Sequence, residues 1–119
     1  MIKGKEEAVL PDETKDVIEQ FVTDVKSCLG SRINSMIVFG SYARGDYNEN
    51  SDIDILILVN ISETEIKKYE EQVIDYAFDL ELEYGKCLSP IIKNQEVFDY
   101  WSDTLPFYRN IKREGVRVA

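Results

Sequence analysis

Two aspartates at the start of an apolar run are the residues of this sequence best suited to chemistry. Asp52 and Asp54 flank Ile53, and the run continues with apolar residues from Ile55 to Val59. In a β-strand, side chains two residues apart point to the same face, so the two carboxylates should lie side by side. Two like charges so placed repel each other, and a hard divalent cation that binds both relieves the repulsion. The pattern therefore predicts a magnesium site at Asp52 and Asp54.

A glycine and a serine directly after a second apolar run indicate a phosphate site. The run Ser35–Phe39 is closed by Gly40 and Ser41. Gly40 lets the backbone turn tightly, and Ser41 can cap a short helix whose free amides bind an anion. Arg44, one turn further on, can add a guanidinium to a phosphate. A phosphate cradle and paired carboxylates from successive strands are typical of a site for a magnesium-bound nucleotide.

The elements that would position these residues follow from the apolar periodicity. Helical spacing and capping signals favour helices, and short β-branched runs favour strands. We predict helices over 12–29, 63–84, 94–101 and 104–115, and strands over 35–39, 53–59 and 87–92, with a loop over 44–51. Pro90 favours an edge position for the third strand because proline lacks an amide donor. The order predicts one α/β (α+β) domain over 1–119, with a polar lead-in over 1–11 and a small mixed sheet of about three strands packed by helices.

Composition excludes several classes of protein. The chain has 119 residues, a net charge of −9 and no histidine, so a Ser-His-Asp triad and imidazole metal ligands are excluded. Cys28 and Cys87 are too far apart for a zinc knuckle, and their apolar neighbours predict buried thiols in a reducing compartment. An acidic pI near 4.5 argues against general nucleic-acid binding. Without an apolar run of membrane length or a signal peptide, we expect a cytoplasmic protein with no membrane contact.

The two motifs together resemble a known family. Gly40-Ser41, ten further residues and then Asp52-x-Asp54 resemble the nucleotidyltransferase signature of the DNA polymerase beta-like superfamily. The fuller pattern, with Arg44-Gly45 and Ser51-Asp52, is similar to the minimal nucleotidyltransferases known as MntA-like antitoxins. The resemblance implies a nucleotidyltransferase fold and Mg²⁺-dependent transfer of AMP from ATP to a hydroxyl, commonly a tyrosine of a partner HEPN toxin. It assigns phosphate binding to Gly40 and Ser41, and metal binding and catalysis to Asp52 and Asp54.

One feature of that superfamily is missing. Its usual third carboxylate comes from the next strand, but residues 86–92 contain no Asp or Glu, and Glu81 and Glu83 belong to the preceding predicted helix. A base could come from the substrate or from a loop carboxylate such as Glu49. Two alternatives to transfer onto a partner protein stay open: a weakened nucleotide-binding antitoxin that acts by complex formation, which the missing carboxylate favours, and a small-molecule nucleotidyltransferase. A small-molecule substrate would have to be enclosed by a second lobe. A chain of 119 residues has little room for one, so a dimer or a partner would have to supply it.

Charge is distributed unevenly along the chain. The predicted helix over 63–84 has eight acidic residues and two lysines, a net charge of −6. This is typical of a solvated face, or of a docking surface for a basic partner. The last 11 residues have a net charge of +3, from Arg109, Lys112, Arg113, Arg117 and Glu114. Cations there can face a nucleotide or suit the dipole of a final helical turn.

Overall fold

The computed structural model describes residues 2–6 and 10–119, which form five helices and five strands. The strands are β1 (Lys3–Gly4), β2 (Ile33–Phe39), β3 (Ile53–Val59), β4 (Leu88–Asn94) and β5 (Val116–Arg117). The helices are α1 (Asp12–Leu29), α2 (Ser41–Arg44), α3 (Glu63–Tyr84), α4 (Gln95–Trp101) and α5 (Pro106–Glu114). None of the helices in this described part is long and apolar enough to cross a membrane.

The strands form one mixed sheet in the order β1-β5-β2-β3-β4. β2 pairs antiparallel with β3, and β3 pairs parallel with β4 across the crossover through α3. The mixed α/β architecture is confirmed, but the sheet has five strands rather than about three. The additional strands β1 and β5 are two residues long each, too short to show an alternating pattern. Arg117 therefore lies in a strand and not in a final helical turn.

Helices cover both faces of the sheet, and β3 is buried between them. Ile53, Ile55 and Ile57 pack into the core that α1 and α3 cover. Leu56 and Leu58 point to the opposite face and pack into a second core with residues of α4 and α5. Because side chains alternate along a strand, Asp54 shares the face of Leu56 and Leu58. The aspartate pair thus belongs to the side of the sheet that α4 and α5 cover.

Most predicted elements are confirmed, and the differences are local. Helices α1 and α3 and strand β3 have the predicted bounds, and β4 is an edge strand, as Pro90 indicates. β2 starts two residues earlier and β4 ends two residues later than predicted. A short helix, α2, follows Gly40 and ends at Arg44, the first residue of the predicted loop. The predicted lead-in contains β1, while residues 1 and 7–9 of it lie outside the described residues.

Candidate functional site

The carboxylate of Asp54 lies directly against the backbone of Gly40. Asp54 is the second residue of β3 and pairs with Phe39, the last residue of β2, so Gly40 follows at the same end of the sheet. Gly40 has a φ of +74°, and a Cβ built on it would collide with Asp54 Oδ2. Both the backbone conformation and this close approach require a residue without a side chain. The position of Gly40 is therefore tied to that of Asp54.

Asp52 joins the same group from the other side. Asp54 pairs with Ser89 on β4, and the Ser89 hydroxyl donates a hydrogen bond of 3.4 Å to Asp52 Oδ2. Asp52 is exposed, whereas Asp54 is half-buried. Burial raises the pKa of Asp54, the negative charge of Asp52 raises it further, and the Arg44 guanidinium opposes both effects. Asp52 is thus close enough to Asp54 for its charge to change the pKa of Asp54.

This pair of carboxylates fits a magnesium ion that arrives with other ligands. The part of the chain that the structure describes has no cluster of three or more His, Cys, Asp or Glu side chains suited to a metal. Mg²⁺ usually keeps several waters and binds one or two carboxylates together with substrate phosphates. Two mutually repelling carboxylates at an accessible sheet edge meet that requirement. Asp52 and Asp54 are the residues that would hold the ion.

The predicted phosphate residues begin the short helix α2. The sequence suggested Ser41 as the N-cap, but the N-cap is Gly40. Ser41 already has helical geometry as the first residue of α2. The amides of Ala43 and Arg44 donate to Gly40 O at 3.1 and 3.0 Å. The amides of Ser41 and Tyr42 precede the first intrahelical hydrogen bond and point out of the helix start. Ser41 and Tyr42 directly follow Gly40 along the chain, and so they begin at the backbone that contacts Asp54.

Arg44 lies at the mouth of a cleft between α2 and α5. Its Nε is 3.2 Å from Asp46 Oδ2, and its Nη1 is 3.6 Å from Glu114 Oε2. The hydrogen bond and charge of Asp46, with a smaller effect of Glu114, raise the pKa of Arg44. The cleft has a volume of about 210 Å³, and Gly40 and Phe107 are among its lining residues. A phosphate here would have to compete with two carboxylates for the guanidinium.

The tyrosines beside the motif pack on each other. Tyr42 and Tyr47 are stacked, with ring centroids 4.4 Å apart and an angle of 6° between the planes. Tyr42 is 4% exposed and belongs to the core on the α1 and α3 side. This stacking indicates that the two rings support the loop between β2 and β3.

Strand β4 places a hydroxyl where the third carboxylate was sought. The residue opposite Asp54 is Ser89, and β4 (Leu88–Asn94) contains no acidic residue. Glu81 of α3 and Asp52 both contact the Cys87 side chain. Burial, followed by hydrogen bonds with Glu81 and Asp52, raises the pKa of Cys87 to about 11. Cys87 and Cys28 are free and half-buried, whereas the sequence had suggested fully buried thiols.

Three neighbours of the site could not be found from the sequence pattern. Ser89 lies in β4, Cys87 directly precedes β4 and Glu114 lies in α5, all far along the chain from the motif. Ser89 and Cys87 reach the site because the crossover through α3 lets β4 pair parallel with β3. Glu114 reaches it because α5 folds back over the sheet. The hydroxyl of Ser89 was the only available signal, since it is the sole hydroxyl of residues 86–92.

Comparison with known proteins identifies the family. Residues 18–118 match the family described as the nucleotidyltransferase domain. The chain therefore belongs to this family and is a nucleotidyltransferase.

Relatives of similar length support this assignment. Two Methanocaldococcus jannaschii proteins, each named "putative protein adenylyltransferase", are 42% identical over 101 residues and 36% identical over 96 residues. The first match covers 82% of this chain and 90% of the relative, and the second covers 81% and 95%. A solved Sulfolobus solfataricus structure, described as a "putative nucleotidyltransferase", has a TM-score of 0.42 and 19% identity. That comparison covers 88% of this chain and 75% of the other.

Proposed function

We propose that this nucleotidyltransferase transfers an adenylyl group from ATP to a hydroxyl of a partner protein, with Mg²⁺ bound by Asp52 and Asp54. The observation that carries the proposal is the grouping of the two carboxylates beside Gly40, on one face of the sheet. The names of the relatives support a protein acceptor. The chain resembles MntA-like antitoxins, so we propose that the acceptor is a tyrosine of a HEPN-type toxin. Transfer of AMP would then inactivate this toxin in the cytoplasm.

The residues of the site divide the work of such a transfer. Asp52 and Asp54 would hold Mg²⁺, which supplies neutralisation of phosphate charge. The Ser41 hydroxyl and the first amides of α2 would hold phosphate oxygens, next to Gly40. Arg44 would leave Asp46 and Glu114 to bind the phosphate group. Positioning and charge neutralisation are the main demands of transfer at phosphorus, so the absence of histidine is no obstacle.

The chemical step exchanges one bond to phosphorus for another. The acceptor oxygen forms a bond to the α-phosphorus of ATP, and the bond from that phosphorus to the bridging oxygen breaks. Pyrophosphate leaves, and the hydroxyl proton passes to a base. Since β4 offers Ser89 and no carboxylate, the base would be a loop acid such as Glu49 or a group of the partner.

Labelled ATP tests the proposal directly. The chain is incubated with Mg²⁺, α-labelled ATP and the protein encoded beside it, and a parallel reaction contains γ-labelled ATP. We expect the α label alone on the partner, and no label with the Asp52→Asn/Asp54→Asn variant. Glu13→Gln/Asp16→Asn is the matched control, because it removes the same charge from exposed positions of α1. Transfer of the γ label, or transfer by the double variant at the wild-type rate, would contradict the proposal.

The serine opposite Asp54 favours a second candidate function. A chain with two site carboxylates can bind a nucleotide and inhibit its partner by complex formation alone, with little transfer. A tight complex without label would support this candidate. Ser89→Asp separates the two, because it places a carboxylate opposite Asp54. An increase in labelling by this variant indicates that catalysis in the wild type is limited by the missing acid.

A further inference from the structure

The outer face of α3 repeats an apolar residue followed by an acid. The pairs are Ile74-Asp75, Phe78-Asp79 and Leu82-Glu83, at intervals of four residues. Residues four apart on a helix are neighbours on its surface, so the pairs form an apolar row and a parallel acidic row. Ile74, Phe78 and Leu82 are 56%, 56% and 72% exposed. We call these six residues the α3 stripe.

Most of the α3 stripe lies outside the packed interior, although Ile74 lines a pocket beside β4. A different face of α3, with Val73, Ala77 and Leu80, is buried and contributes to the core. Like charges four residues apart destabilise a helix, and Asp75, Asp79 and Glu83 have this spacing. The three ion pairs found in the described part of the chain involve no residue of α3. The acidic row therefore has a local cost without a compensating cation within the fold.

The α3 stripe leads to the candidate site. Leu82 is three residues before Gly85, where α3 ends, and the chain then continues through Cys87 into β4. The carbonyl of Cys87 accepts a hydrogen bond of 2.8 Å from Ile53 N, between the two aspartates. Ser89, two residues further, donates to Asp52. Leu82, at the C-terminal end of the stripe, is therefore five residues along the chain from Cys87, which is hydrogen-bonded to β3 between the two aspartates.

We propose that the α3 stripe docks an amphipathic helix of the acceptor protein, with its apolar side on Ile74, Phe78 and Leu82 and its Lys or Arg side chains on the acidic row. This inference rests on the proposed function, because the acceptor must be a protein. Charge complementarity selects a basic partner: two copies of this chain packed stripe to stripe would bring acidic rows together.

Two variants separate the apolar and the electrostatic contributions. Phe78→Ser/Leu82→Ser removes the centre of the apolar row, and Asp75→Asn/Asp79→Asn removes two charges of the acidic row. The control Tyr100→Ser/Leu105→Ser changes apolar residues of similar exposure, 74% and 39%, near α4 and α5. The probe is the protein encoded beside this chain, titrated by calorimetry at two salt concentrations. Binding of Mg²⁺-ATP and thermal unfolding are measured on every variant.

We expect Phe78→Ser/Leu82→Ser to weaken the complex by at least about tenfold, since central apolar contacts dominate interfaces. Asp75→Asn/Asp79→Asn should weaken it and reduce its salt dependence, while the variant unfolds at the same or a higher temperature. The control should bind as the wild type does. Absence of a complex, equal affinity for all variants, or a wild-type dimer that the apolar variant dissociates would overturn the docking proposal. Label transfer with unchanged affinity would overturn docking alone, whereas absence of Mg²⁺-ATP binding by the wild type would overturn the proposed function.

Discussion

Asp54 is a charged residue in a place that favours the neutral form. It lies in an otherwise apolar strand, half-buried, with Asp52 close by and Arg44 as the opposing charge. A carboxylate there costs stability unless a cation accompanies it. Because strained or unfavourable groups collect at functional sites, this cost is itself an argument for a role in binding.

The effect of Asp54 on stability should depend on pH. Its pKa is raised in the folded state, so the folded protein binds a proton more readily than the unfolded chain. Its stabilising contribution is present in acid and is lost as the pH rises through the raised pKa. Asp54→Asn should therefore be more stable than the wild type at pH near 7, in EDTA, with a difference that shrinks towards pH ~4. Urea unfolding across this range measures it, and a difference that grows towards acid would contradict the assignment.

Gly40 offers a sharper test, because Gly45 is a nearby glycine of positive φ that lacks the contact with Asp54. Both have positive φ, +74° and +86°, but a Cβ on Gly45 has nothing within 4 Å, while one on Gly40 meets Asp54 Oδ2. Backbone strain alone should cost about 1 kcal/mol in Gly45→Ala. Gly40→Ala should cost more, about 2–3 kcal/mol, because its φ of +74° and ψ of −150° lie in a region that only glycine normally occupies, and the new Cβ should also displace the carboxylate, which weakens Mg²⁺-ATP binding. Equal unfolding free energies and equal nucleotide affinities for the two variants would show that the Gly40–Asp54 contact is unimportant.

At the scale of the element, side-chain caps account for the well-predicted starts of α3 and α4. The Ser62 hydroxyl accepts from Glu65 N at 3.2 Å, and the Asn94 side chain accepts from Val97 N at 3.1 Å. Both caps use local side-chain chemistry, which a sequence displays directly. The short strands β1 and β5 depend on pairing between the two ends of the chain. Nothing local specifies that pairing, so it could not be predicted.

The two capping side chains differ in the number of hydrogen bonds that they make. The Asn94 amide also donates a hydrogen bond of 2.8 Å to Ile61 O, which ties the start of α4 to the turn before α3. Ser62→Ala should cost about 1 kcal/mol, as a lost cap usually does. Asn94→Ala should cost about 2 kcal/mol, because it leaves a part-buried carbonyl without its donor as well. Chemical denaturation of both variants compares them, and a larger loss in Ser62→Ala would contradict this view of Asn94.

At the scale of the molecule, the acidic residues behind the net charge of −9 fall into groups with different roles. Asp52 and Asp54 belong to the candidate site. The acids of α3 lie on a helix that packs on the face of the sheet opposite to α5. The cations of α5 include Lys112, which is 3.1 Å from Asp103, and Arg113, which bonds Asn110. The motif residues, the strands β2, β3 and β4 and the acidic helix could be predicted from spacing and composition. The neighbours that complete the site could not, because β4 and α5 reach it only in the folded chain.

Titration of the chain with ATP tests most directly whether Asp52, Asp54 and Gly40 form a nucleotide site. Calorimetry should detect binding of ATP in Mg²⁺, loss of binding in excess EDTA, and loss of binding in Asp52→Asn/Asp54→Asn. Glu13→Gln/Asp16→Asn should bind as the wild type does. If the wild type binds no Mg²⁺-ATP, alone or in complex with its partner, or if the double variant binds it equally well, the site is not where we place it.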